Sequence, residues 1–180
     1  MLRSPHVLLA CAIVGAIALK PSTAQGRPQP TRKHGTFKAN KSFGLGFMIG
    51  VPSGLAGKYY IGPNRALDFG IGGIRYYRGR DGLHLHLDHL WHPAVLGKNR
   101  DFEVPLYLGV GARFFSFTDG NDSRGGALGL RAPIGVALDF NKVPLDIFFE
   151  LAFVADLLID YEDDYYTDVT GALGLRYYFR

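Results

Sequence analysis

From residue 43 to the end of the chain, apolar and polar positions alternate along almost every segment. In the clearest run, residues 128–140, mostly large apolar side chains occupy every second position, with Gly, Ala, Pro or charged residues between them. A period of two places successive side chains on opposite faces of a β-strand. Turn-forming residues separate the runs. The pattern therefore predicts eight strands: Phe43–Gly50, Leu55–Gly62, Leu67–Tyr77, Leu83–Trp91, Glu103–Thr118, Ala127–Phe140, Leu145–Leu158 and Asp168–Phe179.

The number and length of these strands indicate a closed barrel. Eight strands is the smallest common size for an outer-membrane barrel, and a tilted spanning strand needs about 9–11 residues. We therefore expect an all-β fold, an eight-stranded antiparallel up-and-down transmembrane β-barrel. The alternation breaks near Gly72 and Gly73, which predicts a bulge. Residues 92–101 are predicted to form a loop.

The composition of the second strand face, formed by the positions between the large apolar residues, distinguishes a membrane barrel from a soluble one. In a soluble barrel of lipocalin type, this face would be the exterior and would be rich in Lys, Glu, Thr and Ser. Here it is mostly Gly and Ala with sparse charges, which suits a crowded interior. Aromatic residues gather at strand ends and predict two interfacial girdles. They are Tyr59, Tyr60, Tyr76, Tyr77, Trp91, Tyr165, Tyr166, Tyr177, Tyr178 and Phe179.

The N-terminus has the features of a secretory signal peptide. Arg3 precedes an uncharged, mostly apolar run of 13 residues, 7–19, which is too short to span a bilayer as a helix. Small residues at 22 and 24 predict cleavage after Ala24. The expected organisation is a signal peptide at 1–24, a disordered basic periplasmic tail at 25–42 and the barrel at 43–180. The single cysteine, Cys11, lies in the apolar run, so the mature chain would contain no disulfide.

Charge adds little to this interpretation. The whole chain has a formal charge of +4, and the mature part has 18 basic and 16 acidic residues, or +2, once Arg3 and Lys20 are removed. The excess lies in the tail, where Pro and polar residues predict disorder. A soluble linker is expected there rather than a nucleic-acid patch. No cofactor motif is present.

Several segments of the barrel resemble a known family. These segments are Phe43–Gly46, Gly54–Tyr60, Leu83–Asp88, Pro144–Glu150 and Gly174–Phe179. They are similar to a small outer-membrane β-barrel family of spirochaetes and proteobacteria, within the OmpA/OmpX-like eight-stranded barrels. The resemblance implies the fold and an outer-membrane location, and it implies no settled activity and no catalytic or binding residues. It also implies contact with the barrel-assembly machinery, which reads a terminal aromatic residue; here Phe179 is penultimate and Arg180 is last.

Thirteen charged or histidine side chains fall on the predicted inner face. Unpaired charges in a narrow interior are costly, so we expect ion pairs that plug the barrel; the alternative is a narrow polar conduit. The central cluster is Arg113, Arg131, Asp146, Glu150, Asp156 and Arg176. Glu150 with Arg176 is the first predicted pair, and Asp156 with Arg131 is the second. The other inward positions are Lys58, Asp68, His84, His86, Asp88, Glu103 and Asp139.

Two further groups suggest metal chemistry. His84, His86 and Asp88 lie at alternate positions on one strand face, and imidazole with carboxylate suits zinc or nickel; hydrogen-bonded interior histidines are the alternative. An acidic segment predicted to face outside could bind Ca²⁺ or Mg²⁺ and bridge lipopolysaccharide phosphates, or could simply be solvated. Its carboxylates are Asp160, Glu162, Asp163, Asp164 and Asp168.

The predicted function is a structural or surface-interaction role in the bacterial outer membrane. The expected partners are outer-membrane lipid and lipopolysaccharide, and the expected state is a monomer. The alternative is a lipid A-modifying enzyme, a deacylase or acyltransferase. Such an enzyme needs a serine beside His84 or His86, and Ser53, Ser116 and Ser123 lie in no recognisable catalytic motif.

Overall fold

The alternating segments form eight antiparallel strands in a computed structural model that describes residues 37–77, 80–118, 124–159 and 165–179. Each strand pairs with its neighbours along the chain, and β8 also pairs with β1. The predicted fold class, an all-β eight-stranded up-and-down barrel, is therefore confirmed. The strands are β1 (Phe43–Gly50), β2 (Ser53–Gly62), β3 (Arg65–Tyr77), β4 (Arg80–Lys98), β5 (Phe102–Thr118), β6 (Arg124–Phe140), β7 (Leu145–Ile159) and β8 (Tyr165–Phe179).

The strand register gives the barrel its stagger. A row of directly opposed residues that starts at Tyr178 on β8 and passes through all the other strands returns to β8 at Asp168, ten residues away. Such a shift tilts the strands against the barrel axis. Two residues that are equally far from the ends of their strands therefore lie at different heights along the barrel axis. In order, the row is Tyr178, Gly44, Lys58, Asp68, Asp88, Gly111, Arg131, Val154 and Asp168.

One predicted loop and one predicted bulge are wrong. The predicted loop at 92–101 is strand as far as Lys98, because β4 continues past Pro93 through register shifts between Trp91 and Ala94 and between Val95 and Gly97. A proline is tolerated at such irregularities, where a ladder hydrogen bond is already missing. The predicted bulge at Gly72–Gly73 is also misplaced, since pairing with β4 is regular there and shifts only between Ile74 and Tyr77.

The two faces of the barrel differ sharply in chemistry. The outer face exposes a dense set of large apolar side chains, including Phe47 (69% exposed) and Leu130 (72% exposed). The inner face carries the charged side chains, glycines, alanines and two small apolar clusters. On β4, for example, Leu83, Leu85 and Leu87 face outward. The alternation read from the sequence is thus the alternation between exterior and interior.

The predicted girdles hold only in part. Tyr59, Tyr177 and Phe179 are about half exposed on the outer face, whereas Tyr178 is buried and Tyr60 packs against the interior cluster. Consecutive residues on a strand point to opposite faces, so a pair of adjacent tyrosines supplies one aromatic to each side. The side chains at 76, 77, 165 and 166 lie outside the described part of the structure.

Residues 37–42 lie across the barrel end where β1 begins and β8 ends. Phe37 is 1% exposed, and its ring stacks on His92 with centroids 4.9 Å apart. Ala39 N donates to Pro63 O at 2.7 Å, and Ser42 O accepts from Tyr60 N at 2.8 Å. The predicted disorder of residues 25–42 is therefore wrong for the last six of them. The predicted signal peptide and the rest of the tail lie outside the described residues.

Within the described residues, no helix is long and apolar enough to cross a membrane.

Candidate functional site

The interior of the barrel contains a dense set of ionisable side chains. The structure buries all thirteen of the inward positions read from the sequence. Three arginines, Arg113, Arg131 and Arg176, organise most of the carboxylates into separate groups. Because buried charges require paired partners, the contacts of each arginine define the chemistry of this interior.

The first group is a pair that spans two strands. Arg113 on β5 donates from Nε to Asp156 Oδ1 on β7 at 2.8 Å, and its Nη2 contacts Oδ2. The residue between them in the register is Gly129 on β6. A side chain there would meet Asp156 Oδ1. The glycine therefore creates the space in which the guanidinium reaches across a strand.

The second group repeats this arrangement around Arg131. Its Nη1 contacts Asp88 Oδ2 on β4, and the residue between them is Gly111 on β5. Its Nη2 contacts Glu150 Oε1 on β7. Arg131 is thus shared by two carboxylates.

The third group surrounds Arg176 on β8. This guanidinium donates from Nε to Asp146 Oδ1 at 3.1 Å and contacts Asp68 Oδ1 on the far side of the interior. It lies 4.0 Å from the centroid of the Phe148 ring, a cation–π contact. Tyr178 donates its hydroxyl to Asp146 Oδ2 at 2.7 Å.

Both specific pairs predicted from the sequence are wrong. Arg176 lies directly opposite Asp146, while Glu150 is opposite Ala172, four residues further along β7. Asp156 lies opposite Gly129, and its ion pair is with Arg113. Each of the two arginines in these predictions does contact an acid of β7, Glu150 for Arg131 and Asp146 for Arg176, and its second acid lies on β4 or β3.

A row of acids lies at the same end of the barrel, where β1 begins and β8 ends. Glu103, Asp139 and Asp146 are neighbours in the register of β5, β6 and β7. Lys98 Nζ donates to Glu103 Oε2 at 2.9 Å. Lys41, from the segment that crosses the barrel end, contacts Asp139 and donates to Phe140 O at 2.9 Å. This segment therefore closes the barrel end with both an aromatic ring and a charge.

Lys41 and Phe37 were missed by the sequence interpretation. Both lie in a stretch whose Pro-rich, polar composition indicates disorder. The available signal was an aromatic residue followed by a lysine four positions later. That spacing does not predict order, because it does not show which surface the two side chains contact.

Lys58 occupies an aromatic chamber beside this end. Its Nζ makes no hydrogen bond to a described residue and lies 4.7 Å from the Tyr107 ring centroid and 5.3 Å from that of Tyr60. Tyr107 Oη and His92 Nε2 are likewise without a hydrogen-bond partner among the described residues. Buried polar groups of this kind are commonly bridged by ordered water.

The histidines on β4 form a different set from the predicted one. His84 Nε2 lies 3.1 Å from His86 Nδ1, so His84 contacts the other histidine rather than sharing a ligand position with it. The residues whose ligand atoms converge are Asp68, His86 and Asp88, all buried, with those atoms within 4.8 Å of one another. Asp68 joins the set because β3 places it directly opposite Asp88, a pairing that strand spacing alone does not reveal.

The predicted outer acidic cluster is described only at its last member. Asp168 is half-buried in β8, and its Oδ1 accepts a hydrogen bond from Val169 N at 2.7 Å. Asp160, Glu162, Asp163 and Asp164 lie outside the described residues. Their joint cation binding stays a prediction.

No hydrogen bond joins a serine to a histidine among the residues that the structure describes. The Ser53 hydroxyl donates to Gly50 O and accepts from Gly50 N, both at 3.0 Å. Ser116 lies opposite Leu83 on β4. Ser123 lies outside the described residues.

Comparison with known proteins gives limited information. No protein-family model and no curated protein matches the chain. Among solved structures, it is similar to the crystal structure of Ail, the attachment invasion locus protein of Yersinia pestis, with 18% identity and a TM-score of 0.38 over 77% of this chain and 97% of that chain. The same values hold for Ail in complex with the heparin analogue sucrose octasulfate. Because identity and TM-score are both low, no function or residue role is transferred.

Proposed function

We propose that the protein is a bacterial outer-membrane β-barrel with a structural or surface-interaction role and a closed interior. The observation that carries the proposal is the inverted distribution of side chains. Large apolar residues cover the outside of a closed sheet, and buried, ion-paired charges fill the inside. A water-soluble barrel requires the opposite distribution.

The outer face supports membrane insertion. Exposed apolar patches of more than a few hundred Å² are unusual on soluble monomers. Here every strand contributes exposed apolar residues, for example Ile49, Leu87 and Phe153. A closed sheet also satisfies all of its backbone hydrogen bonds between strands, which is the condition for spanning lipid with β-structure.

The inner face supports a closed barrel rather than a conduit. The arginine groups cross the interior between β5 and β7, between β4 and β7, and between β8 and β3. Eight strands leave an interior that side chains can fill. Phe37 and Lys41 also obstruct the end where β1 begins and β8 ends. Function then resides at the ends of the barrel.

The end opposite the termini is the proposed contact surface. At this end β7 leads into the acidic segment 160–164 and β8 follows it, and β5 leads to β6 through residues 119–123. With both termini in the periplasm, this end faces the outside, where lipopolysaccharide and other surface molecules are the available partners. The carboxylates of the segment would interact with them through divalent cations.

The experiment that tests this proposal combines fractionation with conductance. We expect the mature protein in the outer-membrane fraction, resistant to carbonate extraction, with a heat-modifiable mobility on gels. After reconstitution into planar bilayers it should give no steady conductance. Recovery as a soluble protein without detergent would contradict the membrane location, and regular conductance steps would contradict the closed interior.

A second measurement tests the absence of lipid chemistry. Mass spectra of lipid A from cells with and without the protein should be identical. A changed acyl pattern would replace the structural role with an enzymatic one.

A further inference from the structure

Asp68, His86 and Asp88 converge inside the barrel in an arrangement that the ion pairs alone do not explain. They come from β3 and β4, and each is less than 10% exposed. Asp68 and Asp88 are directly opposite each other in the register. Like charges in that position repel each other, so an additional positive charge between them would be stabilising.

The described cations near this point are too few for its carboxylates. Arg131 is divided between Asp88 and Glu150, and Arg176 is divided between Asp68 and Asp146. Lys58 is the further buried cation of this region, and it makes no hydrogen bond. Three cations therefore serve four buried carboxylates.

Asp68 and Asp88 each contact an arginine through one carboxylate oxygen and keep the other oxygen out of that contact. Asp68 contacts Arg176 through Oδ1, while its Oδ2 lies 3.9 Å from His86 Nε2, too far for a hydrogen bond. Asp88 contacts Arg131 through Oδ2, and its buried Oδ1 has no hydrogen-bond partner among the described residues.

His86 follows the same arrangement. Its Nδ1 lies 3.1 Å from His84 Nε2, and its Nε2 lies 3.9 Å from Asp68 Oδ2. In metal sites, ligating histidines donate their second ring N–H to a fixed acceptor, and ligating carboxylates are themselves hydrogen-bonded. All three side chains therefore already have the outer partners that metal ligands have.

We infer that Asp68, His86 and Asp88 form a divalent metal site inside the barrel, with zinc as the ion that fits best. One imidazole and two carboxylates make a donor set suited to zinc. In the tetrahedral geometry of zinc sites, two ligands at about 2.0–2.2 Å from the ion lie about 3.3–3.6 Å apart. His86 Nε2 and Asp68 Oδ2 are 3.9 Å apart, and the three ligand atoms all lie within 4.8 Å of one another, so binding would draw them together by no more than about 1.5 Å. A divalent ion supplies the one positive charge that the three cations lack against the four carboxylates, and one more.

The chain provides a graded set of variants for this inference. His86→Ala and Asp88→Asn each remove a ligand or its charge. His84→Ala removes the outer partner of His86 and leaves the ligands in place. His89→Ala is the matched control, because His89 is on the same strand but on the outer face, against Trp91.

The test is zinc binding by the folded, untagged barrel in detergent, with metal content measured by mass spectrometry after dialysis and affinity measured by titration. The wild type and His89→Ala should each retain one zinc ion. His86→Ala and Asp88→Asn should retain none, and His84→Ala should bind about 10–100-fold more weakly. Cobalt bound in place of zinc should give visible absorption that His86→Ala abolishes.

Folding of every variant is checked by its heat-modified mobility. Asp68→Asn, which preserves size, replaces any variant that does not fold. A wild-type barrel that binds no zinc at micromolar concentration would overturn the inference. Equal retention by wild type and His86→Ala would overturn it as well, because the ion would then lie elsewhere.

Discussion

Arg113 and Asp156 form an ion pair across a strand that separates them. Arg113 Nε lies 2.8 Å from Asp156 Oδ1, and the intervening residue of β6 is Gly129. Arg131 and Asp88 repeat this relationship across Gly111 on β5. The glycines of the inner face are thus part of the ionic network, because they leave the volume that the guanidinium groups occupy.

Gly129→Ala should destabilise the barrel by about 1–3 kcal/mol, the usual cost of forcing extra atoms into a packed interior. The added methyl group would meet Asp156 Oδ1 and displace the pair with Arg113. The measurement is the free energy of unfolding in a denaturant titration. Gly73→Ala is the control, since no atom lies within 4 Å of a methyl group there. Equal losses in the two variants would contradict this role of Gly129.

The energetic coupling between Arg113 and Asp156 should be large. Each single alanine variant leaves a buried charge without a partner, at a cost of about 3–5 kcal/mol, and the double variant should lose less than the sum of the two. Lys142 and Asp101, whose side chains are mostly exposed, form the control pair, with an expected coupling of about 0–1 kcal/mol. Additive losses at Arg113 and Asp156 would show that the pair contributes nothing as a unit.

The strand faces could be predicted from the sequence, but the partners could not. A period of two fixes which side chains point inward, so the buried positions on β4, β6 and β7 follow directly from the residues. Arg176 and Asp146 are direct partners within the β7–β8 hairpin, but the pairs of Arg113 with Asp156, Arg131 with Asp88 and Arg176 with Asp68 join strands that are not neighbours. These pairs depend on the register of several strands together, which the spacing within one hairpin does not give.

Local composition misled the prediction at two other places. Pro93 suggests the end of β4, yet the strand continues through two register shifts. Phe37 and Lys41 lie in a polar stretch whose composition indicates disorder. They are fixed in the structure by contacts with His92 and Asp139, which are far away in the sequence. Both cases are tertiary contacts that override a local signal.

Asp139→Asn should release the segment that crosses the barrel end. The substitution removes the charge that holds Lys41, and trypsin should then cleave after Lys38 and Lys41 at least several-fold faster than in the wild type, because proteolysis follows local opening. Asp101→Asn, at an exposed acid of a neighbouring turn, is the control and should leave the cleavage rate unchanged. An unchanged rate in Asp139→Asn would show that the other contacts of the segment, such as the Phe37 ring and the backbone hydrogen bonds of Ala39 and Ser42, hold it without this charge.

A charge on the outer face should be costly only if that face meets lipid. Leu130→Arg, near the middle of β6 and 72% exposed, should lower the free energy of unfolding in phospholipid vesicles by about 2–4 kcal/mol. Val143→Arg, in the turn between β6 and β7 and 50% exposed, should have an effect close to zero. Equal, small effects at both positions would indicate a barrel exterior in water.

The environment of Trp91 tests membrane insertion most directly. Trp91 is the only tryptophan in the chain, and it lies between the buried residues Leu90 and His92, so its side chain is on the outer face. In vesicles of brominated phospholipid, bromine on the acyl chains should quench its fluorescence strongly, most of all bromine near the headgroups, and aqueous acrylamide should quench it weakly. Strong quenching by acrylamide with none by brominated lipid would contradict a membrane-spanning barrel.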